Sequence, residues 1–206
     1  MNIKKIQKYT HGFTLVETLL VVAVFILIIY AVSSLQTNIL TYDKYASDVI
    51  SSAQDARVIL RNIVQELRSS KTGSNGSYPI AQAATSTIVF YSDIDVDGLQ
   101  DQVRYYISGG NLKKGVIKPS GSPLGYDGAE TVTTLAYNIK NGTSTALFEY
   151  FDSNYNGTSS PLSQPVVVNA VRLVRVNLLI DADPRRSPIP RLYTSDATLR
   201  NLKDNL

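Results

Sequence analysis

A run of hydrophobic side chains dominates the start of the chain. From Leu19 to Val32 every residue is apolar, with Tyr30 the one polar handle, and between Lys8 and Asp43 the only formal charge is Glu17. A helix over residues 13–35 would be roughly 34 Å long, enough to cross a bilayer core of about 30 Å. Lys4, Lys5 and Lys8 precede it, an arrangement that keeps the N-terminus cytoplasmic and exports the rest. The pattern then becomes amphipathic. Residues 36–69 contain no Pro and no Gly, and Ala46, Val49, Ile50, Ala53, Ala56, Leu60, Ile63, Val64 and Leu67 recur at three-to-four spacing. Asp48, Asp55, Arg57, Arg61 and Arg68 fall mostly elsewhere. This predicts a helix over 36–69 whose apolar stripe packs on a globular domain. The Ser- and Gly-rich segment from Ser69 to Ser77 ends it.

From residue 85 onward the period becomes that of strands. Thr87 to Tyr91, Gln102 to Ile107, Val132 to Ile139, Ala146 to Phe151 and Val171 to Ile180 are rich in β-branched and aromatic residues. Asn141-Gly142 predicts a hairpin joining the third and fourth of these. Leu192 to Arg200 is a final edge strand after a break at Pro184, Pro188 and Pro190. The fold class expected is α+β: a long N-terminal helix packed on a mainly antiparallel β-sheet domain over residues 70–206.

Composition narrows the chemistry. The 206 residues include no cysteine, so no disulfide framework and no Cys-based metal or redox site is available. Lone His11, near the N-terminus, leaves no basis for Ser-His-Asp catalysis or a His-cluster metal site, and no enzyme activity is expected. The net charge of +3 belongs to the three leading lysines; without them acids and bases balance. A nucleic-acid partner is therefore not expected.

Glu17 is the anomaly. A carboxylate four residues into an apolar run is expensive and calls for a cationic partner. Two ordinary readings leave it unexplained: a plain membrane anchor, and a secretory signal cut after the small-x-small pattern Ala31-Val32-Ser33. A cut between Gly12 and Phe13 would create the partner, because the new amine of Phe13 lies about one helical turn from Glu17. The segment Gly12-Phe13-Thr14-Leu15-Val16-Glu17, after a short basic leader and before an apolar helix, resembles the type IV prepilin cleavage motif. The resemblance implies removal of residues 1–12 by prepilin peptidase, N-methylation of Phe13, and pairing of Glu17 with the Phe13 amine of a neighbouring subunit. It also implies a pilin-like fold and passage through an inner-membrane assembly platform. The subunit would sit in the inner membrane as a single pass, then in a cell-surface or periplasmic filament.

The stretch Ala31 to Asn38 lacks the proline that many major pilins carry there, and a cysteine-free chain cannot close their C-terminal disulfide loop. Asp93 to Tyr106 (DIDVDGLQDQVRYY) and Thr198 to Leu202 (TLRNL) resemble sequences in PilW-type minor pilins and J-type minor pseudopilins of type II secretion. That subfamily implies a structural subunit, partnered by other pilins or pseudopilins, that helps initiate or cap a filament. Type IV pilus, type II secretion and DNA uptake remain open. So does a second class of role, a calcium-stabilised tip adhesin or a substrate- or DNA-binding module.

Asp93, Asp95, Asp97, Gly98 and Asp101 stand at the spacing of positions 1, 3, 5, 6 and 9 of an EF-hand loop, where alternating carboxylates wrap a hard cation. The Leu99 carbonyl could add a ligand. Position 12 is Arg104, not a bidentate Glu, and the flanks are strand-like, so this is no EF-hand, and a weak calcium site is expected. An Asp-rich hairpin turn without metal is the plainer reading. Asp152 to Gly157 reads as a solvated turn, and Arg185, Arg186 and Arg191 as a basic loop, with Arg172 and Arg175 upstream. The processing reading makes a direct prediction: protein recovered from its native membrane begins at Phe13 with one added methyl, by intact mass and N-terminal sequencing. A start at Ser34 would mark a secretory signal, and retained Met1 a simple anchor.

Overall fold

The computed structural model describes residues 12–181 and 190–199. Residues 1–11 of the leader, Pro184, Arg185, Arg186 and Pro188, and the last residues of the TLRNL segment lie outside them. The chain divides into two compact units, Met1–Ser47 and Asp48–Leu206.

Helix α1 runs Leu15–Arg68. Thr14 caps its start: its Oγ1 accepts the Glu17 N–H at 3.3 Å, satisfying one of the unpaired N–H groups of the first turn. In the first unit the helix carries the apolar span Leu15–Gln36, with mean hydropathy 2.8, long and apolar enough to cross a membrane. Its side chains are exposed throughout.

In the second unit α1 buries Ala56, Ile59, Leu60, Ile63, Val64 and Leu67, one stripe at helical spacing, and leaves Asp55, Arg57, Arg61 and Arg68 exposed. The stripe is shorter than its periodicity predicts, since Ile50 is 59% exposed. Five strands follow as an antiparallel meander, β1 (Ile80–Ala83), β2 (Thr87–Ser92), β3 (Asp101–Ser108), β4 (Asn111–Ile117) and β5 (Thr131–Ala136). A second antiparallel sheet holds β6 (Phe148–Phe151), β7 (Leu173–Ile180) and β8 (Arg191–Thr198), with a 3-10 turn at Val168–Ala170 before β7. This is the expected α+β arrangement. Side chains of both sheets and the α1 stripe form one core, including Phe90, Val103, Tyr105, Leu112, Phe148, Tyr150, Val174 and Val176.

Two features depart from the sequence expectation. Strand β4 was not anticipated. Lys113, Lys114 and Gly115 lower its strand propensity, yet the Gly109-Gly110 turn, with φ of 60° and 73°, closes a tight hairpin with β3 and pairs Ser108 with Asn111. Asn141-Gly142 is not a hairpin turn. It lies on the crossover between β5 and β6, which belong to different sheets. The Asn141 amide instead behaves like a strand segment beside β7: its Nδ2 donates to the Asn177 carbonyl at 2.8 Å and its Oδ1 accepts the Leu179 N–H at 2.9 Å. Side-chain bonding to the backbone won over the turn propensity of the dipeptide.

One polar cluster ties α1 to the larger sheet. Glu66 accepts the Tyr105 hydroxyl at 2.8 Å and the Lys114 ammonium at 2.6 Å. Lys114 and Glu66 side chains are only 18% and 19% exposed. Burial, with the Glu66 carboxylate alongside, pushes the Tyr105 phenol far up, so it remains a neutral donor. Replacing Glu66 strands a buried hydroxyl and an ammonium together. Glu66→Ala should therefore lower unfolding free energy by about 2–3 kcal/mol, and Glu66→Gln by less, in denaturant titration of the detergent-solubilised protein.

Candidate functional site

Two groups of residues carry candidate chemistry: the start of α1 and the acidic hairpin between β2 and β3. At the first, Gly12 and Phe13 precede the helix and both are exposed, Phe13 by 75%. A side chain at Gly12 would meet nothing within 4 Å, and its φ is not in the left-handed region. Nothing within the described fold demands glycine there. Glu17 is exposed on the apolar span, and its carboxylate has no hydrogen-bond or ion-pair partner among the described residues. Its backbone does serve the helix: Thr14-x-x-Glu17 has the spacing of a capping box, and the bond to the Glu17 N–H is one half of it. That signal was present in the sequence, and the assignment of Glu17 to pairing between subunits overlooked it. A carboxylate in the first turn also complements the positive end of the helix dipole.

The acidic hairpin is held at both ends. Ser92 pairs with Asp101 where β2 meets β3. Beside that pair, the Gln100 N–H donates to Ser74 Oγ at 2.8 Å, and the Tyr126 hydroxyl donates to the Gln100 carbonyl at 2.5 Å. Between these anchors Asp93 organises the turn, taking the Asp97 N–H on Oδ1 at 3.1 Å and the Gly98 N–H on Oδ2 at 3.0 Å. Asp97 takes the Leu99 N–H at 2.8 Å. Gly98 has φ of 89°, the left-handed region this turn requires.

Ligand oxygens of Asp93, Asp95 and Asp97 lie within 4.8 Å of one another. Asp101 is fully buried, unlike the others, and stands apart from that trio. Leu99 is 39% exposed. Arg104 is committed elsewhere, its Nε donating to Glu130 at 2.8 Å and its guanidinium stacking 4.1 Å from the Tyr106 ring centre. Gly115 makes room for that pair, since a Cβ there would overlap the Glu130 carboxylate.

Lys118 brings a cation to the hairpin that sequence reasoning missed. It follows β4 and binds Asp95. This hydrogen bond holds the Asp95 carboxyl below its ordinary value. Asp101 moves the opposite way: burial first, then the neighbouring Asp95 charge, push its carboxyl up. The other candidate segments are structural. Asp152 accepts the Asn154 N–H at 2.9 Å, an Asx turn as expected. Arg175 pairs with Asp196 at 2.9 Å and donates to the Tyr155 hydroxyl at 2.6 Å, so it is not part of an open basic surface.

Asp93 therefore has a role in the turn whatever else it does. With chelator present, Asp93→Ala should cost about 1–2 kcal/mol by denaturant titration, because two backbone N–H groups lose their acceptor, while Asp93→Asn should retain part of the loss. No protein-family model and no curated protein matches this chain. Among solved structures it is similar to a chain in the GspK-GspI-GspJ complex of the type 2 secretion system of enterotoxigenic Escherichia coli. The two are 14% identical with a TM-score of 0.46, over 72% of this chain and 97% of that one.

Proposed function

We propose that this protein is a minor pilin or pseudopilin, a structural subunit that helps initiate or cap a type IV pilus or a type II secretion pseudopilus. The observation that carries the reading is the start of α1. An uncrowded Gly12, an exposed Phe13 and an unpartnered Glu17 stand together at the head of a 22-residue apolar span. The fold has no use for glycine at residue 12, whereas a peptidase that must fit the backbone into its site does. Glu17 has no counter-charge of its own among the described residues, whereas the amine freed at Phe13 supplies one. A subunit paired this way brings its neighbour's cationic amine to a carboxylate that would otherwise stand alone in lipid.

In this role the protein acts by packing. Cleavage after Gly12 and methylation of Phe13 prepare the helix, the apolar spans of several subunits bundle in the inner membrane, and the β domain is exported. A charge-assisted contact of about 1.5–3 kcal/mol corresponds to roughly a tenfold to hundredfold change in association. Glu17→Ala should therefore insert into the membrane at normal levels yet be depleted on that scale from sheared filaments or from co-purified pilin complexes. Glu17→Asp should retain part of the incorporation. Recovery of Glu17→Ala in filaments at parental levels would overturn the reading.

A further inference from the structure

Burying a carboxylate without a partner is costly, and the fold does so at Asp101. Its side chain is fully buried, and neither carboxylate oxygen has a hydrogen-bond partner among the described residues. It points into the acidic hairpin: the Ile94 N–H faces it without reaching bonding geometry, and the charges it feels most are Asp95, Lys118 and Asp97. The hairpin already carries three carboxylates whose ligand oxygens lie within 4.8 Å of one another. Oxygens around a single ion at the 2.3–2.6 Å distances of calcium stand up to about 5 Å apart, so the three can share one ion.

Two different observations thus converge on one place, a trio of near-surface carboxylates and a buried fourth that no hydrogen bond satisfies among the described residues. We propose that Asp93, Asp95 and Asp97 ligate one calcium ion at the tip of the β2–β3 hairpin, that its charge offsets the buried Asp101 carboxylate behind them, and that Lys118 competes for Asp95. The ligand chemistry selects the ion. All side-chain donors are oxygens, which excludes a preference for zinc or copper. The loop is open, with Val96 87% exposed, and a small magnesium ion, which demands near-ideal octahedral geometry, is poorly served by such a carboxylate-rich turn. Lys118 is the monovalent stand-in, bonding Asp95 while neither Asp101 oxygen receives a hydrogen bond among the described residues. When the dication enters, the ammonium swings out to solvent and the ion neutralises both sides of the loop. The site stands on its own residues, independent of the filament role.

The test uses the full chain in detergent micelles, stripped with chelator and titrated with calcium chloride or magnesium chloride, read by calorimetry and thermal melting. Calcium should bind in the range of about 0.1–1 mM, and at tenfold excess over Kd should raise the melting temperature by about 3–5 °C. Magnesium should bind at least about tenfold more weakly. Asp97→Asn should weaken calcium binding by about tenfold or more. Lys118→Met should tighten it several-fold. Asp101→Asn should melt higher than the parent in chelator, because the buried charge is gone, yet lose most of the calcium-induced rise. That crossing of the two curves would not arise if Asp101 only filled space. Neither heat nor a melting shift up to about 10 mM calcium, in both the parent and Lys118→Met, would overturn the proposal. So would Asp97→Asn and Asp101→Asn variants that respond to calcium as the parent does.

Discussion

Glu66 sits on the buried side of α1, one turn from Ile63 and beside Leu67, both fully inaccessible. A helix that seats its apolar stripe in a core must do something with a carboxylate on the same side. Here Lys114 of β4 and Tyr105 of β3 meet it. That contact and the buried stripe act on the same side of the helix and together hold its rotation against the larger sheet. Strand β4, despite lysines and a glycine that disfavour a strand, is held between β3 and β5 and brings Lys114 to the helix. Tyr105 in turn lies in the core beside Phe90, with ring centres 6.1 Å apart, so the polar clamp and the apolar packing share a residue.

The same hairpin register carries consequences to the far end of β3. With Tyr105 held inward, alternation along the strand puts Val103 and Asp101 on the inward side as well, and all three are buried. Asp101 is thus drawn out of solvent by the clamp on its own strand. The charge strain in the acidic loop is a product of the core, and the loop above it is where a cation would relieve that strain. A protein without cysteine has few other ways to pin such a turn.

The first unit carries a candidate membrane span. Its span from Leu15 to Gln36 is exposed on every side, which in water would be an aggregation hazard and in lipid is ordinary. Within it Thr14 and Glu17 make a conventional helix start, so the helix needs Glu17 for little more than an N–H bond. Its carboxylate has no hydrogen-bond or ion-pair partner among the described residues.

Local chemistry was enough to read much of this from the chain alone. The apolar run, the absence of Gly and Pro from residues 36 to 69, the oddity of Glu17 and the alternating aspartates are all short-range patterns, and short-range forces decide them. What sequence could not supply was long-range pairing. Asn141-Gly142 looked like a hairpin because turn propensity is local, whereas the partners that captured Asn141 are Asn177 and Leu179, some 36 residues on. The β4 strand depended on backbone pairing with β3 and β5, and its Lys114 meets Glu66, 48 residues away. Lys118 reached Asp95 only because β3 and β4 fold back together. Asp101 looked like its three neighbours in sequence and differs from them in being fully buried. Burial is set by the whole core, and no pattern within nine residues can report it.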